Sequence, residues 1–266
     1  MPDKYTCEVE MNPPKQNSQK LEEDLATFAE RFERVMESGF VASITDNAMG
    51  ILHFQPHEMI EELDLKPREN QVLIHLNTFH TKEVLDEILA FGKSHNITNF
   101  LCLSGDGSDK MHKLEPEELE APEVPVTTSV ELIRYIRKYY PEFHLGAAFN
   151  PYEPEEKEFA KLKRKVEAGA EYIITQPILG RNPLVDRVMR EYPDLPVVIE
   201  CWMSKKVYLL SEVIGETIPE DTEYDGYEKL LELQKEYPDS GNYLAMMGFK
   251  KTYPRVEELW KTRGAF

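Results

Sequence analysis

The sequence predicts one (β/α)8 barrel covering residues 1–266, on three observations. Eight short apolar runs alternate with longer stretches of helical period, most of the runs stop at polar groups, and no Gly/Ser linker or composition shift divides the chain. The run that organises the rest is Asn99 to Asp106, an apolar strand signal cut off by Gly105 and a carboxylate. It is too short for a helix and reads as a strand buried on both faces. In a parallel α/β sheet the chemistry lies just past the carboxyl ends of such strands.

In chain order the runs are Tyr5 to Met11, Phe40 to Thr45, Gln71 to Thr78, Asn99 to Asp106, His144 to Asn150, Tyr172 to Pro177, Pro196 to Met203 and Tyr243 to Phe249. Between them apolar residues recur near every 3.6 positions, as in Leu21, Leu25, Phe28, Phe32 and Val35, or Val84, Leu85, Ile88 and Leu89, or Val130, Leu132, Ile133 and Ile136. Gly39, Pro141, Gly169, Pro193 and Pro196 punctuate the joints. Gly107 to Val126 carries three prolines and is expected to be an irregular loop, a lid on the catalytic face. Pro219 to Tyr227 reads as an acidic surface excursion before an extra helix from Tyr227 to Tyr237.

Net charge is −18, which argues against a nucleic-acid groove and against an anionic membrane surface. Solubility is the plain account of that acidity, and docking of a basic or redox partner protein is the sharper one. No apolar stretch approaches the roughly 20 residues that span a bilayer, and the first residues lack a signal-peptide core, so a cytoplasmic protein is expected. Cys7, Cys102 and Cys201 match no zinc spacing and are expected to be reduced, buried thiols. No metal site is expected: Pro56 breaks a helical pairing of His53 with His57. No Gly-x-Gly-x-x-Gly follows the first strand, so a Rossmann dinucleotide site has no support. A homo-oligomer is expected, without a heptad seam to define it.

The strand ends carry Glu10, Asn12, Thr45, Asp46, Asn77, Thr78, Gly105, Asp106, Asn150 and Gln176. Strands must end in something polar, which accounts for about half of these. Glu10 differs, because it interrupts an apolar run just before Asn12-Pro13-Pro14. A carboxyl at the rim of an apolar core is partly desolvated, which raises its pKa toward that of a general acid. The small residues Gly146-Ala147-Ala148 leave room for a ligand at the fifth strand, and the helix after Pro154 carries Lys157, Lys161, Lys163, Arg164 and Lys165. That helix either meets phosphate or pairs with Glu155, Glu156 and Glu158.

Four blocks resemble the methylenetetrahydrofolate reductases. Leu162-Lys163-Arg164-Lys165-Val166-Glu167-Ala168-Gly169-Ala170 with Ile174-Thr175-Gln176 is similar to that family's Leu-Lys-Arg-Lys-Val-Asp-Ala-Gly-Ala and Ile-Thr-Gln. Glu10-Met11-Asn12-Pro13-Pro14 is similar to Glu-Phe-Phe-Pro-Pro, His75-Leu76 to His-Leu, and Gly105-Asp106 to the end of Arg-Gly-Asp. The similarity runs from Glu8 to about Gln176.

The resemblance implies a flavin enzyme of one-carbon metabolism and methionine biosynthesis. FAD would pass hydride from NADH or NADPH to 5,10-methylenetetrahydrofolate, giving the 5-methyl form. Glu10 and Asp106 would be catalytic, Glu10 as the acid that opens the folate's five-membered ring. Thr45, His75, Gly105, Asp106, Phe149 and Lys165 would bind FAD, with Phe149 where tyrosine is usual. Gln176, Asp106 and Asn150 would bind the folate or a related pterin. Ser104 stands where the family has arginine, Asp46 replaces an aromatic, and Glu153 and Lys161 replace other flavin-contacting types. These departures should weaken FAD binding by on the order of 1–3 kcal/mol per unbalanced contact. Two rivals follow: a tetrahydropterin-binding methyltransferase on the same barrel, and a relative that has lost flavin or turnover.

Overall fold

The computed structural model describes residues 6–108 and 111–262. Eight strands close in sequence order into a parallel barrel, and helices alternate with them. The elements are β1 (Cys7–Met11), α1 (Leu21–Glu37), β2 (Val41–Ile44), α2 (Pro56–Glu62), β3 (Val72–Leu76), α3 (Lys82–Ser94) and β4 (Asn99–Cys102). There follow α4 (Ser129–Tyr139), β5 (His144–Phe149), α5 (Glu155–Ala168), β6 (Tyr172–Thr175) and α6 (Pro183–Glu191). The chain ends with β7 (Val197–Trp202), α7 (Ser211–Ile214), α8 (Gly226–Glu236), β8 (Gly241–Ala245) and α9 (Tyr253–Thr262).

Helix starts follow from local chemistry. Thr81 accepts from the Val84 N–H to cap α3, Asn182 accepts from Leu184 and Val185 ahead of α6, and Asp225 accepts from Tyr227 and Glu228 ahead of α8. Thr128 and Glu131 form a reciprocal capping box on α4. Pro56 opens α2 as its first residue, which leaves His53 outside that helix and His57 within it.

The contacts cluster into two compact units. The first comprises Met1–Glu10, Ala148–Lys163 and Tyr172–Phe266; the second comprises Met11–Ala147 and Arg164–Glu171. Core of the first unit is built by Val9, Leu162, Ile173, Val188, Val198, Leu230, Leu244 and Trp260, all essentially inaccessible. The second buries Phe32, Val35 and Phe40 together with the stacked rings of Phe100 and Phe143, 4.8 Å apart. In that unit Arg137 reaches from α4 to the carbonyls of Phe143 (3.0 Å) and Gly169 (2.9 Å), satisfying backbone oxygens where α5 ends.

The strands are shorter than the apolar runs. The eighth run extends from Tyr243 to Phe249, whereas β8 stops at Ala245, because Met246 turns into the left-handed region (φ 55°). The fourth run continues to Asp106, whereas β4 stops at Cys102 and Ser104 to Gly107 form an exposed loop. The Leu103 N–H still donates to the Leu76 carbonyl at 2.9 Å, and the pattern runs on beyond it into the loop. The 107–126 stretch contains one short 3-10 turn, Pro116–Leu119, among its described residues. All three cysteines are buried and free. Burial pushes the Cys102 thiol up to about 12 and holds Cys7 and Cys201 well above the ordinary thiol range, so none is poised as a nucleophile.

Candidate functional site

In the second unit the loops after β2, β3 and β4 lock together around Asp46. Its Oδ2 accepts from the His80 ring nitrogen (2.7 Å) and the Asn77 backbone N–H (2.9 Å), and its Oδ1 accepts from the side-chain amide of the next residue, Asn47 (3.1 Å). Both side chains of the Asp46–His80 pair are nearly inaccessible, at 1% and 4%. Asp46 is thus a buried, multiply hydrogen-bonded residue of these loops.

Thr45 follows β2 and donates to Asn12 Oδ1 (2.8 Å). His75, on β3, is hydrogen-bonded to Ser43 Oγ at 2.9 Å, and burial lowers its pKa to about 4, so the ring is neutral near pH 7. Gly105 adopts φ +78° with Asn77 pressed against its α-carbon; a Cβ there would come within 2.7 Å of the Asn77 side chain. Asp106 is exposed. Ser104 Oγ accepts from the Ser129 N–H at the start of α4, so the residue in the arginine position has a local structural task.

Lys165 lies half-buried in the last turn of α5. Its cationic neighbours are paired: Lys157 with Glu153 (2.9 Å), Lys161 with Glu158 (3.2 Å) and Glu153 (3.5 Å), and Arg164 with Glu131 (3.6 Å). Of the expected partners only Glu158 takes part in these three; Glu153 and Glu131 supply the rest, while Glu155 and Glu156 pair with Arg187. Glu153 and Lys161, both departures from the family pattern, thus balance each other.

In the first unit the site is built on β1, β8 and β7. Glu8 and Glu200 are both in register with Tyr243, one on each neighbouring strand. Cys201 donates through its thiol to the Gly226 carbonyl on α8 at 3.7 Å, which sets the outer face of β7 and leaves Glu200 inward. Strand alternation places Glu10 on the same inner face as Glu8, one step nearer the carboxyl end. Glu10 accepts from the Tyr243 hydroxyl (3.3 Å) and from the Met246 backbone N–H (3.4 Å). Burial raises Glu8 to about 8, and burial together with the charge of Glu10 holds Glu200 well above the usual carboxylate range.

Asn150 and Gln176 are half-buried at the ends of β5 and β6. Asn150 Oδ1 accepts from Tyr152 N–H (3.0 Å), and the Tyr152 hydroxyl donates to the Pro177 carbonyl (2.8 Å), tying the two strand ends together. The Gln176 backbone N–H donates to Phe149 O (2.8 Å). Phe149 itself turns outward: its ring is 0% exposed and meets Phe159 of α5 edge-on at 5.8 Å, so it offers no surface to a cofactor. Sequence reasoning missed Glu8, Glu200, Tyr243 and the Asp46–His80 pair. The signal for Glu200 was present, since it interrupts Val197-Val198-Ile199 just as Glu10 interrupts the first run.

With this geometry in place the likenesses to known proteins can be weighed. A family model described as methylenetetrahydrofolate reductase matches residues 2–198 of the 266. The chain belongs to the methylenetetrahydrofolate reductase family. The match ends within β7, so the family likeness takes in Glu10, Asp106 and Gln176 but stops just short of Glu200. Among solved structures, an uncharacterized protein from Clostridium thermocellum that binds two copies of 5-methyl-5,6,7,8-tetrahydrofolic acid aligns with TM-score 0.58 at 13% identity. The alignment covers 98% of this chain and 94% of that one. An oxaloacetate acetylhydrolase in complex with 3,3-difluorooxalacetate aligns with TM-score 0.52 at 10% identity, over 97% and 80% of the two chains. Both likenesses speak to the barrel alone.

The donor set around the β4 loop fits a diphosphate-bearing cofactor such as FAD. Among the described residues, the backbone N–H groups of Ser104, Gly105, Asp106 and Gly107 have no protein acceptor, and the loop is exposed. Exposed backbone N–H groups without a protein acceptor are available to an anion. No helix among the described residues is long and apolar enough to cross a membrane, and none of their His, Cys, Asp and Glu side chains group to hold a metal.

Proposed function

We propose that the protein reduces 5,10-methylenetetrahydrofolate to 5-methyltetrahydrofolate with FAD, and that Glu10 supplies the proton that opens the folate ring. The reading rests above all on the placement of Glu10, a strand carboxyl facing the barrel interior and gripped from one side by Tyr243 and Met246. When bound, FAD would carry hydride from NADH or NADPH to the folate. The N–H groups of 104–107 would hold its phosphates with Lys165 as the cation, while Thr45 and His75, already hydrogen-bonded within the protein, would form wall.

Glu10 donates its proton to a nitrogen of the five-membered ring, and the carbon–nitrogen bond to that nitrogen breaks. The one-carbon unit left on the pterin is then electrophilic and accepts hydride. Gln176, half-buried at the end of β6, hydrogen-bonds the pterin and helps to orient it. Asn150, locked by Tyr152, closes the side of the site formed by β5. The C. thermocellum protein's affinity for 5-methyltetrahydrofolate supports a reduced folate as ligand here.

The test separates the two half-reactions. Glu10→Gln is expected to keep its flavin and its reduction by the nicotinamide, and to lose folate reduction by about 10²–10⁴-fold. Retention of both half-reactions would remove Glu10 from the mechanism. A second reading, a folate-binding relative without flavin, is favoured by Phe149, whose ring lies wholly against Phe159. A colourless protein that ignores added FAD yet binds 5-methyltetrahydrofolate in a calorimeter would select it.

A further inference from the structure

The chain leaves the end of β4 and returns to the loop after β3, and Thr78 fixes both points. The Thr78 hydroxyl donates to the Ser104 carbonyl at 2.8 Å, and the Thr78 carbonyl accepts the Leu114 N–H at 2.9 Å. Leu114 is 1% exposed, and its own carbonyl takes the Thr127 hydroxyl at 2.6 Å, so the returning segment is held on two sides. The next residue, Phe79, joins the same two segments through its ring. A Cβ on Gly107 would come within 2.1 Å of that ring, which therefore lies against the Gly107 backbone. Lys113 Nζ stands 5.1 Å from the centroid of the same ring. Lys113 and the loop whose N–H groups lack a protein acceptor are thus gathered on one side chain.

We propose that Lys113 completes an anion site with the backbone N–H groups of Ser104, Gly105, Asp106 and Gly107, and that this site takes the phosphate groups of a nucleotide cofactor. The inference rests on the reading of the loop as the place of a flavin diphosphate, and adds to it a cation from outside α5. Lys113 is exposed and makes no ion pair among the described residues. Glu118, in the turn that follows, instead accepts from His112 (3.3 Å) and from the Glu115 N–H (2.7 Å). A cation–π contact at an exposed ring is weak, so Phe79 keeps the ammonium near the loop without committing it. Backbone N–H groups give an anion direction, and the lysine gives it a charge that can follow the phosphate oxygens. Asp106 on the same loop is exposed and by itself opposes an anion; Lys113 offsets that charge.

Binding to the full chain, to Lys113→Gln and to Lys113→Arg tests the site. The probes are FAD and riboflavin, read by flavin fluorescence, and inorganic pyrophosphate, read by calorimetry. Lys113→Gln is expected to bind FAD and pyrophosphate about tenfold more weakly than the parent, with riboflavin affinity unchanged, because riboflavin carries no phosphate. Lys113→Arg should recover most of the loss, since it keeps the charge. Pyrophosphate affinity should fall as salt is raised, and fall less steeply in Lys113→Gln. FAD and pyrophosphate affinities within about twofold of the parent in Lys113→Gln would overturn the site and leave the flavin reading standing. An equal loss for riboflavin would also overturn it, by making Lys113 a packing partner of Phe79 alone. A parent that ignores FAD yet binds pyrophosphate through Lys113 would uphold the anion site and sink the flavin reading; a parent that binds neither would sink both.

Discussion

Replacing Glu8 by Gln is expected to remove a loss of stability that the parent protein suffers as pH rises. Burial lifts the Glu8 carboxyl to about 8 from an ordinary value of 4.5. The native state therefore holds a proton that the unfolded chain releases between those two values. Stability from this group is fully present below about pH 4.5 and is lost as pH climbs through about 8, at close to 1.4 kcal/mol per unit. Over the whole window the loss is about 5 kcal/mol, a large part of a typical domain's stability. Gln keeps the shape and cannot ionise, so the variant lacks this slope. Its amide brings a pH-independent offset of about 1–3 kcal/mol if unpaired, which cancels on comparing pH values. Urea unfolding of both proteins at steps from about pH 5 to pH 9 reads the difference. The variant should gain on the parent by several kcal/mol across that range. A difference constant to within about 0.5 kcal/mol would show that Glu8 is not a buried proton carrier and would refute the desolvation argument.

Asp46→Ala strands His80, the Asn77 N–H and the Asn47 amide without their acceptor, and should cost about 3–5 kcal/mol in denaturant unfolding. Gly226→Ala would place a Cβ 2.6 Å from the Met203 α-carbon, which is backbone and cannot swing aside; a loss of about 1–3 kcal/mol is expected, and an unchanged melting temperature would contradict the close approach. Asp106→Asn should shift the potential of a bound flavin, because it removes a charge from the loop proposed to hold that flavin. An unaltered potential would count against that placement.

Much of the barrel could be read from the chain because a strand's period and a helix's period are local properties. Apolar runs of the right length located β1 through β7 within a few residues, and apolar spacing near 3.6 located helices such as α1, α3 and α4 between them. The run-ends were less legible: Met246 leaves the sheet although its neighbours remain apolar. Glu10 was found because a carboxylate inside an apolar strand is locally anomalous. Glu200 carries the same anomaly, yet its importance depends on β7 lying one strand away from β1, across β8.

The sequence by itself determined the order of elements, the strand alternation and the residue types at each strand end, since these depend on neighbours a few positions away. Tertiary structure alone decided which side chains are spent on the fold and which remain for chemistry. Phe149 sits in a ligand-like position in the chain and faces a helix in space; Asp46 looks like an unpartnered carboxylate and is hydrogen-bonded by His80 from 34 residues away. Protonation was likewise decided in three dimensions, because desolvation and the field of a neighbouring carboxylate depend on distance through space.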